Sequence, residues 1–386
     1  MKILHVSTLS FADPRYYRSL ELTLCRSLVR LGHKVNLVTS NRPPKWQMLE
    51  RSILPSMEVI DGVTIRRLPC GPELGNAATI PSLLGEIMKL DWDLVHAHEV
   101  VAPGSFYSAL ASRIKNKPLI VTQHDYAYGN VHGARLFIQM FSDNTYGRFV
   151  ARGASTMIAI SSQTGKFLER MGASKSKICI IPNSVDTTTY SPNRNETLRK
   201  TLGIDGPVVL FVGRLIKRKG VDVLLRAFHR AASSTPTASL IIVGSGPEEQ
   251  RLRELQAELS LQNVFFIDRV AREEMPQIYA SSDVFVLPAL YYEIFGNVVL
   301  EAMATGLPTI CTKVGGMIDI VEDSRTGFQV DPGDEEELSD RLCQLMTDEA
   351  LRLRMSGQAR QLAVQKYDDS VIARSIERIY EHAKVS

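Results

Sequence analysis

The sequence lacks the features that would place it outside the cytosol or across a membrane. Its five cysteines lie far apart in 386 residues and form no C-x-x-C spacing, so neither a disulfide framework nor a thiolate zinc site is indicated. The first apolar run soon meets Asp13 and Arg15, which makes it too short for a secretory signal. No window approaches the roughly 18 apolar residues of a membrane-spanning helix. We therefore expect a cytoplasmic protein, either soluble or peripheral at the cytoplasmic face of a membrane.

Two further absences concern nucleotide and surface chemistry. No G-x-G-x-x-G follows the first predicted strand, which argues against a dinucleotide-dependent dehydrogenase. The net charge is only +3, yet residues 1–185 carry 22 Lys and Arg against 13 Asp and Glu, while the remainder carries 23 against 29. The basic first part could attract an anionic lipid surface or a phosphorylated acceptor. It could equally be a solvated surface without a partner.

The sequence does contain a regular alternation of short apolar runs and helical patterns. KILHVST is followed by helical spacing from Leu20 to Leu31 and then by KVNLVTS, and similar units continue to about residue 310. Strands separated by helices predict a parallel sheet, and the length predicts two cores. We predict an α/β fold of two doubly wound, Rossmann-like domains, 1–186 and 187–366, with a cleft at the carboxyl ends of their strands. A last helix, about 367–386, is expected to pack on the first domain.

Basic residues gather where the predicted strand VVLFVG ends and a helix begins near residue 221. Gly213 and Arg214 end the strand segment, and Lys217, Arg218 and Lys219 follow. Positive charge is unfavourable at a helix N-terminus unless an anion binds there. Backbone N–H groups combined with Arg or Lys form such anion sites. The pattern therefore favours a phosphate site over a solvated basic loop.

Two glutamates flank a second predicted helix start. Glu293 and Glu301 are eight residues apart, which corresponds to about 12 Å if the segment is helical throughout, enough to span a diphosphate. One carboxylate could hold sugar hydroxyls and the other ribose hydroxyls. Gly296 precedes the predicted helix from Asn297 to Ala304, whose first N–H groups offer another anion site. By spacing alone the pair is weak, because two glutamates on one helix are more often a solvated face.

Three segments carry a resemblance to a known family: FVGRL-x4-KG over 211–220, PALYYEIFGNVVLEAMATGLPTICTKVGG over 288–316 and TGFQVDPGD over 326–334. They resemble glycosyltransferase family four, whose hallmark is a Glu-x7-Glu pair. LVRLGHKV, VHAH, TQHD and IPNSVD agree more loosely. The resemblance implies the GT-B architecture of two facing α/β domains. It also implies a retaining glycosyltransferase that moves a sugar from a nucleoside diphosphate sugar to an acceptor hydroxyl.

The same resemblance implies roles for individual residues. Arg214 and Lys219 would bind the donor diphosphate, Glu301 the ribose and Glu293 the transferred sugar, while His124 would approach that sugar from the first domain. Other positions would contact the donor largely through backbone, on the sugar, phosphate or base side: Gly244, Arg269, Val270, Phe295, Gly296, Asn297 and Val298. The catalytic set is accordingly Glu293, His124, Arg214 and Lys219. The family binds donor phosphates without a metal, so we expect neither metal nor other cofactor.

The first domain departs from the family in one loop. Members usually have a glycine pair after the first strand, whereas here SFADPRYYRSLE contains none, and Asp13 and Arg15 stand there. Arg15 could supply by side chain the contact that glycine permits by backbone. His98, at the end of a strand with His96 on the same face, is expected near the acceptor rather than on a metal. Asp125 could orient an imidazole or cap a turn.

The substrates stay open at this stage. The expected partners are a nucleotide sugar, here taken as a UDP-sugar, and a saccharide, glycolipid or lipid-linked acceptor, without nucleic acid. Such a reaction would belong to the synthesis of a glycan, lipopolysaccharide, exopolysaccharide or glycolipid. A nucleotide-sugar epimerase or a phosphorylase-like enzyme on the same architecture is the first alternative. A non-catalytic protein that binds nucleotide sugars is the second.

Overall fold

The computed structural model describes residues 1–8, 19–41, 54–71, 73–74, 77–125, 142–193, 196–268 and 270–385. The chain divides into two units. One unit combines Met1–Asn183 with Asp369–Ser386, and the other is Ser184–Asp368. The first unit is therefore built from two segments that are separated in sequence by the whole of the second. Asp13, Arg15 and Arg269, three of the predicted site residues, lie outside the described residues.

The first unit is an alternation of strands and helices around one large sheet. Its strands are β1 Lys2–Val6, β2 Lys34–Ser40, β3 Met57–Ile60, β4 Val63–Leu68, β5 Glu73–Leu74, β6 Ala77–Ala78, β7 Leu94–His98, β8 Leu119–Gln123, β9 Thr156–Ala159 and β10 Ile178–Ile180. The helices of its first segment are α1 Leu20–Arg30, α2 Leu83–Lys89, α3 Pro103–Lys115, α4 Arg148–Gly153 and α5 Ser162–Arg170. Short π-helical and 3-10 turns occur at Asp143–Gly147 and Lys175–Lys177.

Eight of these strands form a sheet in the order β10-β9-β8-β7-β1-β2-β4-β3. All neighbours pair in parallel except β3, which is antiparallel to β4. The prediction of a parallel sheet is thus confirmed for its centre, whereas β3 and β4 were not predicted. This hairpin turns at Asp61 and Gly62, both at positive φ, so that one short edge strand closes the sheet. The order in which successive strands are added to the sheet reverses between β1 and β7, and such a switch point is where ligands bind in doubly wound folds.

The second unit repeats this plan with a smaller sheet. Its strands are β11 Val208–Val212, β12 Ser239–Val243, β13 Val264–Ile267, β14 Val284–Leu287, β15 Thr309–Thr312 and β16 Gly327–Val330. Its helices are α6 Thr197–Leu202, α7 Val221–Ala232, α8 Glu249–Glu258, α9 Met275–Ala280, α10 Asn297–Ala304, α11 Met317–Ile320, α12 Glu335–Thr347 and α13 Glu349–Leu362, with a π-helical turn at Ala363–Tyr367. The parallel order is β13-β12-β11-β14-β15-β16. The switch point therefore falls between β11 and β14.

The last helix, α14 (Asp369–Val385), belongs to the first unit. Its apolar side chains at 372, 376 and 383 are less than a tenth exposed and share a core with Leu22 and Leu28 of α1 and with Ile3 of β1. Glu377 Oε1 of α14 also lies 2.7 Å from Nε2 of the His33 ring. Helical spacing of apolar residues thus buries α14 against α1 and the sheet. No helix in the described parts of the chain is both long and apolar enough to cross a bilayer.

Candidate functional site

The loop after β11 places a cationic turn directly before helix α7. Lys217–Lys219 form a 3-10 turn, and Gly220, at φ +67°, is the N-cap of α7. A Cβ atom at position 220 would lie 2.1 Å from the carbonyl oxygen of Pro288, so the turn needs glycine for space as well as for conformation. The amide of Leu290 donates to the carbonyl of Arg218 at 2.8 Å. The loops that follow β11 and β14 are therefore in direct contact at the switch point of the sheet.

That contact brings Lys219 to Glu293. Lys219 Nζ donates to Glu293 Oε2 at 2.6 Å, and both side chains are 11% exposed. Arg218 Nη1 lies 3.5 Å from the same carboxylate oxygen and donates to the carbonyl of Tyr292 at 2.5 Å. Two cations thus share one largely buried carboxylate, an arrangement that compensates the cost of removing these charges from water. Arg218 had no separate predicted role, although its side chain reaches Glu293 from the same turn.

The glutamate pair is not carried by a single helix, so the 12 Å spacing assumed for a continuous helix does not apply. Helix α10 begins at Asn297, after Gly296 at φ +87°. Glu293 lies in the preceding loop. A 3.2 Å hydrogen bond from the Gly316 amide to the Ile294 carbonyl holds this loop in place. The change of backbone direction at Gly296 therefore separates the two carboxylates into a loop position and a helix position. The prediction of a helix over 297–304 is confirmed.

Glu301 is held from the side by a buried tyrosine. The hydroxyl of Tyr279, on α9, donates to Glu301 Oε2 at 2.9 Å. Burial, reinforced by the Glu301 carboxylate, raises the pKa of Tyr279 well above its ordinary value, so the phenol stays a donor throughout the neutral range. This bond restricts the rotamer of Glu301. Sequence reasoning had no signal for Tyr279, because the contact joins two separate helices.

The remaining predicted donor-side residues lie along the carboxyl edge of the second sheet or in its loops. Arg214 is exposed immediately after β11, and Gly244 directly follows β12. Val270 is partly exposed in the loop after β13, whereas Phe295 is only 2% exposed. Asn297 and Val298, both partly exposed, form the first turn of α10. The second unit therefore brings most of these residues to the strand ends where doubly wound folds bind ligands.

In the first unit, a row of histidines crosses neighbouring strands on one face of the sheet. His5 of β1 pairs in register with His96 of β7, and His98 pairs with Thr122 of β8. His124 directly follows β8 and is two residues after Thr122, so its side chain lies on the same face of the sheet. The parallel register therefore aligns imidazoles that are distant in sequence. His5 was missed by the sequence analysis, because a single sequence does not show which residues of two strands lie side by side.

Hydrogen bonds join the rings. His5 Nδ1 lies 3.2 Å from His98 Nε2, and His98 Nδ1 lies 3.1 Å from His124 Nε2. The hydroxyl of Tyr380 on α14 lies 2.6 Å from His96 Nδ1 and 3.4 Å from His5 Nε2. Burial is the main cause that lowers the pKa of each ring, to about 3 for His98. All four imidazoles are accordingly neutral near pH 7.

Acidic groups surround the exposed end of this row. Glu99, at positive φ, accepts from the backbone amide of His124 at 3.1 Å and from the side-chain amide of Gln123 at 2.5 Å. Glu21, in the first turn of α1, lies with His98 and His124 in a group whose ligand atoms are within 4.8 Å of one another. Asp125 is partly exposed beside them. Neither Glu21 nor Glu99 was predicted, since neither stands in a recognisable motif.

Two of these groups have the composition of a metal site: His5, His96 and His98, and Glu21, His98 and His124. Except for His124 Nδ1, however, the ring nitrogens of both groups are already joined to one another or to hydroxyl groups, with His96 Nε2 at 2.7 Å from Thr122 Oγ1. A bound ion would have to replace those hydrogen bonds. The predicted independence from metal stays a prediction.

Comparison with known proteins assigns the class. The model of "Glycosyl transferases group 1" matches residues 194–362, and that of "Glycosyltransferase Family 4" matches residues 22–189. A D-inositol 3-phosphate glycosyltransferase of Acidothermus cellulolyticus is 30% identical over 343 residues, which cover 81% of this chain and 73% of that protein. An uncharacterized glycosyltransferase of Methanocaldococcus jannaschii is 26% identical over 93% of this chain and 92% of its own length.

The solved structure of Anabaena HepE in complex with UDP has the same fold, with a TM-score of 0.76 at 24% identity, covering 99% of this chain and 100% of HepE. HepE has also been solved with UDP-glucose. The two Rossmann-like units therefore have the GT-B fold. The chain belongs to the group 1 glycosyltransferases of family four, as the sequence motifs predicted.

Proposed function

We propose that this glycosyltransferase transfers a sugar from a nucleoside diphosphate sugar to an acceptor hydroxyl with retention of the anomeric configuration. The observation that carries the proposal is the contact between the loops after β11 and β14. It places Lys219, Arg218 and Glu293 together at the N-terminus of α7, where positive groups and backbone amides attract phosphate. We propose a UDP-sugar as donor, supported by the HepE complexes with UDP and UDP-glucose.

Lys219 suits a diphosphate because its position is fixed before the donor arrives. An ammonium group has three donor hydrogens, so Lys219 can keep its bond to Glu293 while it donates to a phosphate oxygen. Arg214 would add its charge from the strand end. As the glycosidic bond breaks, negative charge grows on the leaving diphosphate, and these preorganised cations would stabilise it. Glu293 would then position the sugar rather than attack it.

For the acceptor step we propose that the leaving phosphate oxygen takes the proton of the acceptor hydroxyl. The bond from the anomeric carbon to the phosphate oxygen breaks, and a bond to the acceptor oxygen forms on the same face. The proton moves from that oxygen to the released diphosphate. The acceptor would be a saccharide, glycolipid or lipid-linked sugar in the synthesis of a glycan, lipopolysaccharide, exopolysaccharide or glycolipid. No metal takes part in this scheme.

Thermal-shift measurements with UDP-, GDP- and ADP-sugars test the donor, because a ligand that binds only the folded enzyme raises its midpoint of unfolding. We expect the UDP-sugars to give the largest shift. A shift with none of the three nucleotides would contradict the proposal. Donor isomerised without transfer to any acceptor would instead identify an epimerase.

Replacement of Lys219 by Ala tests the site. We expect transfer to fall by about 10²–10³, the usual effect of removing one preorganised group that stabilises transition-state charge. Lys217→Ala is the matched control, because Lys217 is an exposed lysine of the same turn. Near-normal turnover in Lys219→Ala, or an equal loss in both variants, would overturn the assignment.

A further inference from the structure

The buried histidines of the first unit form one continuous hydrogen-bond chain that begins on the last helix and ends at His124. From Tyr380 the chain runs through His5 and His98 to His124, at 3.4, 3.2 and 3.1 Å. A branch runs from Tyr380 through His96 to Thr122, at 2.6 and 2.7 Å. The two branches share the single hydroxyl of Tyr380. The state of one branch therefore affects the other.

The ring geometry is that of edge-to-edge hydrogen bonding rather than of face-to-face stacking. His98 and His124 have centroids 5.4 Å apart and planes within 16° of each other, and His5 and His98 have values of 5.5 Å and 26°. In both pairs the distance between the two bonded nitrogens is more than 2 Å shorter than the distance between the ring centroids. The line that joins the nitrogens therefore runs nearly along the line that joins the centroids. Each lone pair thus points at the neighbouring N–H group. Bonds aligned in this way are sensitive to which nitrogen carries the proton.

A neutral imidazole has one donor and one acceptor nitrogen, so the chain has two proton arrangements in which the Tyr380 hydroxyl donates to one of its two rings and accepts from the other. In the first, Tyr380 donates to His96, and His5, His98 and His124 each donate from Nε2 toward Tyr380. In the second, every bond is reversed, and His124 carries its proton on Nδ1. The tautomer of His124 is thereby coupled to the direction in which a tyrosine hydroxyl on α14 points.

The surroundings of His124 Nδ1 distinguish the two arrangements. This nitrogen is buried and has no hydrogen-bond partner among the residues that the structure describes. In the second arrangement it would be a buried N–H group without an acceptor, which costs free energy and is rare in folded proteins. In the first arrangement it is only an unfilled lone pair. The first arrangement is therefore the favoured one.

We propose that Tyr380, acting through His5 and His98, holds His124 in the tautomer protonated at Nε2, so that Nδ1 accepts a hydrogen bond from a hydroxyl group of the sugar substrate. This inference rests on the proposed function for the identity of that substrate. Tyr380, His5 and His98 are positioning residues, since they act through His124. A substrate that offered only an acceptor at this point would require all the bonds of the chain to reverse.

The proposal requires neutral rings, and the environment supplies them. Burial lowers the pKa of all four imidazoles and raises that of Tyr380. The titratable groups that face the chain are Glu21 and Cys25 of α1, Glu99 after β7 and Asp125 after β8. Among these, Glu21 and Asp125 oppose the effect of burial on His124 without restoring its ordinary pKa.

The ¹⁵N shifts of histidine-labelled enzyme report the tautomer directly, with His124 assigned by its absence in His124→Asn. We expect a single Nε2-protonated form in the native enzyme. In Tyr380→Phe the first arrangement leaves the Nε2–H group of His5 without an acceptor, and the second leaves the Nδ1–H group of His124 without one. Each arrangement then has one unpaired buried donor, so the preference for the first is lost. The ratio of the two tautomers should fall by about tenfold, the value of one hydrogen bond.

Two further variants keep the test independent of Tyr380. Thr122→Val removes the acceptor for His96 Nε2 at the far end of the branch, so it should shift the ratio in the same direction. Tyr367→Phe is the matched control, because Tyr367 is a buried tyrosine of the second unit whose hydroxyl donates to the Asp319 carbonyl at 3.2 Å. It should leave His124 unchanged.

Activity supplies the second measurement. With UDP-glucose as donor, kcat/KM should fall by up to about tenfold in Tyr380→Phe, while the Kd of UDP, which lacks the transferred glucose, should not change. A native enzyme with His124 protonated at Nδ1 would overturn the proposal. So would an unchanged ratio in the folded Tyr380→Phe or Thr122→Val enzyme. Failure of the native enzyme to use any nucleotide sugar would refute the proposed function, and the ¹⁵N shifts would still decide the tautomer.

Discussion

Glu99 is a residue whose ionisation should affect the stability of the first unit. Burial, reinforced by the charge of Asp125, raises its pKa to about 8, although it accepts hydrogen bonds from His124 and Gln123. Near pH 7 the native state therefore binds a proton at Glu99 that the unfolded chain has released. A buried carboxyl of this kind stabilises the fold only while it stays protonated.

The sign of the pH effect follows from proton counts. Between the ordinary value of 4.5 and the native value of about 8, the native state holds more protons, so the contribution of Glu99 to the free energy of unfolding falls as pH rises. Above pH 8 the loss is complete and constant. We expect urea unfolding of the first unit to show this decline between pH 5 and 8, and Glu99→Gln to flatten it. An equal slope in the variant would show that other groups cause it.

At the scale of single elements, the turn before α7 depends on glycine for two separable reasons. Gly220 and Gly203 have nearly the same φ, +67° and +65°. A Cβ atom at 220 would meet Pro288, whereas one at 203 would have nothing within 4 Å. Gly203→Ala should therefore lower the free energy of unfolding by about 1–2 kcal/mol, the cost of the left-handed conformation. The Gly220→Ala variant should lose distinctly more.

Chemical unfolding of the second unit measures both glycine variants. The difference between them isolates the overlap with the Pro288 carbonyl from the conformational cost, and it should appear as a lower urea midpoint at an unchanged slope. Equal losses would mean that the loop after β14 moves away without cost. In that case the contact between the two loops would not be rigid enough to position Lys219.

Helix α14 should contribute strongly to the first unit although it is distant in sequence. Ile376 is 5% exposed and packs among residues of α1 and β2. Ile376→Ala should cost about 2–5 kcal/mol, as expected for a buried aliphatic side chain. Ile114→Ala is the matched control, since Ile114 is 59% exposed on α3 of the same unit. Hydrogen exchange of the β1 and β2 amides measures the loss; similar protection in both variants would contradict it.

The elements show what sequence reasoning can and cannot supply. Buried parallel strands such as β11 and β12 are nearly continuous apolar runs, so their positions could be predicted from the sequence. The β3–β4 hairpin was not predicted because MEVI is short and VTIRRL is half polar. Glu293 and Glu301 were found by family motif, and a helix start after Gly296 was predicted and is confirmed. The distance between the two carboxylates was not predicted, because residue spacing does not show the path of the chain before the helix begins.

The histidine chain illustrates a second limit. His98 and His124 were named from sequence, but their bonds to His5 and Tyr380 depend on strand register and on the docking of α14. Both are long-range outcomes of packing. Local patterns specify which face of an element is buried, while the partner across the sheet follows from the topology of the whole unit.

At the scale of the whole molecule, the two units carry opposite charge. The segments Met1–Asn183 and Asp369–Ser386 together contain 25 Lys and Arg against 16 Asp and Glu, while Ser184–Asp368 contains 20 against 26. We propose that the positive unit binds an anionic membrane surface, because basic proteins are attracted to the potential of such surfaces.

Sedimentation with vesicles tests this attraction. The protein should pellet with vesicles containing anionic lipid at low salt, pellet less as salt screens the charges, and stay in solution with neutral vesicles. Absence of binding to anionic vesicles at low salt would rule out a purely electrostatic association. Binding that persists at high salt would point to apolar contacts instead.

The division of the first unit into two segments has a consequence for synthesis on the ribosome. Its sheet is translated first, but α14, which covers the face that contains Ile3, Leu22 and His96, follows only after the whole of Ser184–Asp368. The nascent first unit must therefore wait, with that face uncovered, while about half the chain is made. The second unit has its own continuous segment and can complete its core first, so the order of maturation is the reverse of the order of translation.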